Sequence, residues 1–339
     1  MKIKHLHSIP KQALSSIAFF AGFLLFTGCV FDGLETPNGE GTASGQTIQV
    51  TIDMPDSTPQ TRISFEEKGE SVVLEWQEDD SIDLLVVTEK GTQIQQTVIV
   101  SPDPKNPKKA TFELKLPHES EGEVFDLYGV YGGNGFVFLD NECFASLPSL
   151  SQSSGSLLGI QNRKSIVLTF ACEKIPRDNP SISVKFKHLG SLFKISLKNK
   201  SHDVWDVLVD FTYVALYSRE HKINIFAHQQ DGVENMLYNV RTGGIKNSTF
   251  NPVLPFNIGD DFKESKINPD EDLDLWAWYI PGSEDSHLWP GLSLELEFQK
   301  KGIRQNIFKP KREKPTDPGK VFYFRAIFDV GKPEIVWEI

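Results

Sequence analysis

The residues in this chain best suited to chemistry are two acidic clusters, Glu78-Asp79-Asp80 and Asp270-Glu271-Asp272 with Asp274. Paired carboxylates can serve glycoside hydrolysis as acid and base, or hold calcium. Neither cluster has EF-hand spacing, and both stand where a strand pattern ends, so both read as solvated turns. Trp276, Trp278 and Trp289 could stack on sugars. Yet Trp276, Trp278 and Ile280 alternate with Leu275, Ala277 and Tyr279. Both faces of that run are apolar, which predicts a strand covered on both sides and tryptophans used in packing. The eight His residues are scattered, and His221 and His228 fall on opposite faces of one predicted strand, so a zinc site is not indicated. There is no GxSxG, no GxxxxGK[ST], no HExxH and no CxxC. The expectation is therefore a protein without catalytic residues, cofactor or metal. Cys143 and Cys172 could pair in an oxidising compartment, or stay as two buried thiols.

The elements that position these residues follow from composition and pattern. A chain of 339 residues suggests two domains, and 39% hydrophobic with 24% charged residues is a globular balance. The net charge of -11 repels phosphate backbones and argues against nucleic acid as a partner. Three Cys in so long a chain exclude a disulfide scaffold.

Lys2, Lys4 and Lys11 precede an apolar run over residues 13–26. The run is shorter than the roughly 20 residues of a membrane-spanning helix and has the make-up of a secretory signal. It ends in LFTGC, residues 25–29, which resembles the lipobox of bacterial lipoproteins. The resemblance implies cleavage between Gly28 and Cys29 and lipid on Cys29. Removing residues 1–28 takes away three Lys and no acid, so the mature charge falls from -11 to -14. An anionic membrane would not attract such a protein, and attachment has to come from acyl chains. Residues 29–45 are rich in Gly and small polar residues and read as a flexible tether.

Beyond residue 45 the pattern is of period two, not 3.6. QTIQVTID places Ile48, Val50 and Ile52 on one face; IDLLVV, residues 82–87, is apolar throughout and suits a central strand. SVVLEWQ, QIQQTVIV, ATFELKL, FDLYGVY, FVFL and KSIVLTF continue the series, and residues 146–159 read as a Ser- and Gly-rich loop. A break, EKIPRDNP at residues 173–180, marks a domain boundary. Strand patterns resume with ISVKFK, SLFKISLKN, VWDVLVDFTYVALY, INIFAH, LDLWAWYI, LSLELEFQK, VFYFRAIF and EIVWEI. Many short strands without βαβ alternation predict an all-β chain of two tandem antiparallel β-sandwiches, residues 46–177 and 178–339.

Several stretches together resemble the fimbrillin-like lipoproteins of type V pili: TRISF (residues 61–65) with VLEWQEDDSIDLLVV, FKHLGSLFKISLKN, LWAWYIPG followed by LSLELEF, and PGKVFYFRAIF. The matches span nearly all of residues 46–339. The resemblance implies two transthyretin-like sandwiches, export as an outer-membrane lipoprotein exposed at the cell surface, and a shaft, tip or anchor role in an adhesive fimbria. It also implies assembly without catalysis. An Arg-specific protease removes the first strand, and a strand of a neighbouring subunit fills the groove. Arg62, the first Arg in the chain, follows the Pro-containing MPDSTPQT and is the candidate cleavage site. In the tail, Ile335, Trp337 and Ile339 share one face of a short strand, either a donor strand or the last strand of its own sandwich. The implied partners are other fimbrial subunits, the outer membrane through the lipid on Cys29, and a host or bacterial surface ligand. The competing readings are a monomeric surface glycan-binding lipoprotein and a secreted hydrolase using the acidic clusters.

Overall fold

The computed structural model describes residues 46–55, 74–116, 122–149, 151–179, 181–218, 226–229, 235–280, 292–298, 303–309 and 318–329. Their secondary structure is almost entirely strand, as the period-two pattern requires. The strands form two sandwiches built on one plan. In the first, one sheet runs in the order Ser181–Lys185, Thr47–Asp53, Asn106–Lys115, Ser101–Asp103. The facing sheet runs Lys187–His188, Leu168–Pro176, Val124–Tyr131, Ser81–Thr88, Gln93–Ile99. In the second, the sheets run Val321–Phe328, Ser191–Asn199, Asp272–Tyr279, Ser154–Gly155, and Val253–Pro255, Phe211–Ser218, Leu292–Phe298, Ile303–Lys309.

The repetition lies in the pairing. The first strand of each sandwich lies between a parallel neighbour that ends the same sandwich and an antiparallel neighbour from its middle. Those two parallel contacts stand out, since every other described pairing is antiparallel. The buried residues form two cores, the first of which continues over Leu192, Trp276, Trp278 and Val321 of the second sandwich. One gathers Ile48, Val50, Ile52, Leu84, Val86, Phe112, Leu127 and Phe186; the other Phe193, Ile195, Leu197, Val214, Leu275, Leu294 and Phe324. Ser181–Lys185 and Lys187–His188 lie C-terminal to the Pro-rich break, yet they bond to strands of the first sandwich.

Two excursions tie the sandwiches together. Phe136–Leu139 and Glu142–Ser146 form a hairpin that pairs with Leu237–Asn239, which pairs in turn with Ile245–Lys246. Ser154–Gly155 adds to the edge of the second sandwich opposite Trp276 and Ala277. Arg163 then reaches Asp261 through two bonds of 2.7 and 3.0 Å, and also donates to the Gln152 and Ser154 carbonyls.

Three local expectations are corrected. Residues 146–159 are not all loop: Ser156 caps a helix, Leu157–Asn162, by accepting from the Gly159 N–H at 2.9 Å. The run VWDVLVDFTYVALY is not one strand. A short helix, Val207–Asp210, interrupts it where Asp206 accepts from the Val209 N–H. Leu74 to Gln77, read as part of a strand, carries none, although the Trp76 N–H bonds the Pro107 carbonyl.

Candidate functional site

Thr47–Asp53 is the first strand of the first sandwich and fills a two-sided slot. Asn106–Lys115 runs antiparallel along one side, with Val50 opposite Phe112; Ser181–Lys185 runs parallel along the other, with Val50 opposite Ile182. The chain beyond each end is bonded as well. The Leu116 N–H donates to the Gln46 carbonyl, the Phe186 N–H to Asp53, and the Met54 N–H to Lys108. Alternation decides the faces. Ile48, Val50 and Ile52 are at most 1% exposed, whereas Thr47 and Gln49 are exposed and Thr51 and Asp53 half-buried. Burying one branched aliphatic side chain contributes about 1.5–3 kcal/mol. Vacating the slot would expose three, on the order of 5–9 kcal/mol, together with two unpaired backbone edges.

At the end of the slot, Asp53 lies opposite Lys109 on one side and Lys185 on the other. The Lys109 ammonium is 3.4 Å from the Asp53 carboxylate. Sequence reading identified the apolar face but missed these lysines. Only the register brings residues 53, 109 and 185 side by side, and alternation carries no register between distant strands.

The two acidic clusters differ in their surroundings. Glu78 and Asp79 are exposed. Asp80 is buried, which corrects the reading of a fully solvated turn: its carboxylate accepts from the Gln77 N–H at 2.9 Å and the Tyr131 hydroxyl at 3.0 Å. Burial, and then the Asp80 charge, push the Tyr131 hydroxyl well above the ordinary tyrosine range. In the second cluster Asp270 pairs with Lys200, Glu271 accepts from the Asn268 N–H and side chain, Asp272 pairs with Arg325, and Asp274 pairs with Lys194 at 2.8 Å. The Lys200 hydrogen bond and charge hold the Asp270 carboxyl below the usual carboxylate range.

Trp276 and Trp278 are buried, as the two-faced apolar pattern predicted, and the Lys194 ammonium lies 5.3 Å from the Trp276 ring centre. Cys143 and Cys172 are free thiols, Cys143 buried and Cys172 half-buried, which settles their pairing against a disulfide. Burial, with a smaller contribution from Asp83, pushes the Cys143 thiol up to about 12. Among the described residues no group of three His, Cys, Asp or Glu could hold a metal ion. One cavity, about 10 Å³, lies beside His188, Ser191, Trp278 and Val321, room for a single water and no more. Burial holds His188 there down to about 4. Gly28, Cys29, Arg62, Trp289, Ile335, Trp337 and Ile339 lie outside the described residues.

No protein-family model and no curated protein sequence matches the chain. Solved structures do. A candidate cell adhesion protein from Bacteroides uniformis superposes with a TM-score of 0.50 at 12% identity, over 86% of this chain and 97% of the other. A candidate adhesin from Bacteroides ovatus matches with a TM-score of 0.43 at 8% identity, over 86% and 94%. The fimbrial anchor protein Mfa2 from Porphyromonas gingivalis matches with a TM-score of 0.36 at 9% identity, over 86% and 95%. The first of these aligns over 86% of this chain, and the chain shares the fold of that candidate cell adhesion protein.

Proposed function

We propose that this chain is a non-enzymatic cell-surface protein, a structural or adhesive subunit of a fimbria, lipid-anchored through Cys29 and joined to its neighbours by exchange of the first strand. The observation that carries the reading is the slot around Thr47–Asp53. A strand buried on one face, between two strands far away in sequence, can be replaced by another strand of the same pattern. The fold it shares with a candidate cell adhesion protein supports the same reading. So does the engagement of Asp80, Asp270 and Asp274 in hydrogen bonds and ion pairs of the fold. The glycan-binding alternative loses its main motive with the burial of Trp276 and Trp278.

Arg62 is the cleavage site in this account, because a cut there frees the slot strand from the body and separates the body from the lipid. The chain's partners are other fimbrial subunits and the outer membrane. Mass spectrometry of the native N-terminus tests the reading. Envelope material should begin at an acylated Cys29, and assembled fimbriae should contain either that form, for an anchor, or a form beginning at Ile63. A protein found only soluble, with neither terminus, contradicts it. Cys29→Ala should leave the protein unprocessed or released; the variant still resisting alkaline washing of outer membrane would rule out lipid as the anchor.

A further inference from the structure

We infer that the slot selects its occupant by charge as well as by shape: a strand that replaces Thr47–Asp53 must carry a carboxylate at the Asp53 position. The inference rests on the strand-exchange reading and adds to it a rule about which strands qualify. Along the outward face of the slot, Gln49 lies between Glu113 and Ser181, Thr51 between Thr111 and Ser183, and Asp53 between Lys109 and Lys185. The first two rows are neutral or carry one acid, and tolerate many side chains. The third has a lysine on each side, and Lys109 is already paired to Asp53 at 3.4 Å. With the native strand gone, two ammonium groups would face each other across an empty position. Opposite charges directly across a ladder stabilise it and like charges destabilise it. A lysine brought to that position would be the third in a row.

The occupant that fits is an extended segment with apolar residues at alternate positions and an acid next to the third of them, in the direction of the native strand. The tail of this chain supplies the acid, with Pro333 at the place of Ile48 and Glu334 at that of Gln49, beside Glu113. Ile335 and Trp337 in register with Val50 and Ile52 put Glu338 at the place of Asp53 and Ile339 at that of buried Met54. The occupant is accordingly the tail of a second copy of this chain.

The test uses the mature chain cleaved after Arg62 and labelled peptides. One copies residues 46–54; two more carry Asn or Lys in place of Asp53. A fourth copies residues 330–339, and a fifth is that peptide with Lys in place of Glu338. The acidic peptides should bind about tenfold more tightly than their Lys versions, with the Asn peptide between them, and the gap should narrow at high salt. Lys109→Glu with Lys185→Glu should invert the order. Equal binding of acidic and Lys peptides, or an order that does not invert, overturns the charge rule while leaving strand exchange in place. Failure of every peptide to bind sinks strand exchange and the rule with it. Should the cut chain aggregate, the uncut chain gives the same answer. There, Asp53→Lys should lower the unfolding midpoint, and the double Glu variant should restore it; no restoration overturns the rule.

Discussion

The first strands of the two sandwiches occupy the same place in the same strand order, yet they are held in different ways. Thr47–Asp53 is buried on one face only, by three aliphatic side chains, and its other face carries a single ion pair. Ser191–Asn199 is buried on both faces over most of its nine residues. Phe193 stacks on Tyr279 at 4.8 Å and meets Phe322 and Phe324 at 5.3 and 5.2 Å. On the opposite face Lys194 is pinned between Asp274 and the Trp276 ring. Its far end is fixed too: Asn199 donates to the Asp203 and Ile267 carbonyls and accepts from Ser201. A strand with one buried face can leave its sheet and be replaced by a similar one. A strand with two buried faces is core, and its loss would unfold the sandwich. The topology is duplicated, and in the proposed strand exchange only the first copy has a strand held on one face alone.

The largest expected effect tests this contrast directly. Phe193→Ala should cost about 3–5 kcal/mol and more than Ile52→Ala, read as shifts in urea unfolding. Equal costs would mean that the two strands are held alike. A middle-sized effect is expected at the acidic turns, where the order of the sandwiches reverses. Asp80→Ala in the first sandwich should cost about 1–3 kcal/mol, because it leaves the Gln77 N–H and the Tyr131 hydroxyl without their acceptor. Asp270→Ala, exposed in the second, should leave the midpoint where it is. A midpoint shift at Asp270 as large as at Asp80 would contradict the assignment of a buried and a solvated turn.

The smallest effect concerns the clasp between the sandwiches, and it depends on pH. Burial pushes the Asp261 carboxyl up. The hydrogen bonds and charge of Arg163, with bonds from Ser156, outweigh this and hold it below the ordinary carboxylate range. A carboxylate lowered on folding stabilises above its unfolded value, and that stability is lost as pH falls through the lowered one. The gap in melting temperature between the wild type and Asp261→Asn should thus be full near neutral pH and close below about pH 4. A gap that stayed constant into acid would show that the Asp261 charge contributes nothing to the clasp.

Much of this was legible in the sequence, for physical reasons that also set the limits. Alternation in TIQVTID, FDLYGVY and SLFKISLKN marks strands because a pleated sheet has two faces, and LDLWAWY gave away its double burial by being apolar on both. The Asp80 carboxylate was misread because nothing local shows that Tyr131, 51 residues on, would come to meet it. The helix Val207–Asp210 was missed because VLV suits a strand, and only the capping carboxylate of Asp206 turns the chain there. The lysines around Asp53 and the Arg163–Asp261 clasp depend on register and on contacts across about 100 residues, which periodicity does not encode.

The central claim is that the first strand is the replaceable one, and one measurement meets it directly. The mature chain is cut with trypsin at Arg62 under native conditions and sized, alone and with an excess of a labelled peptide copying residues 46–54. The account predicts that the body stays folded, that the fragment ending at Arg62 exchanges for the labelled peptide, and that Ser191–Asn199 keeps its hydrogen-exchange protection throughout. A cut body that keeps its fragment against any excess of peptide, or that loses protection in Ser191–Asn199 as soon as the fragment leaves, would contradict it.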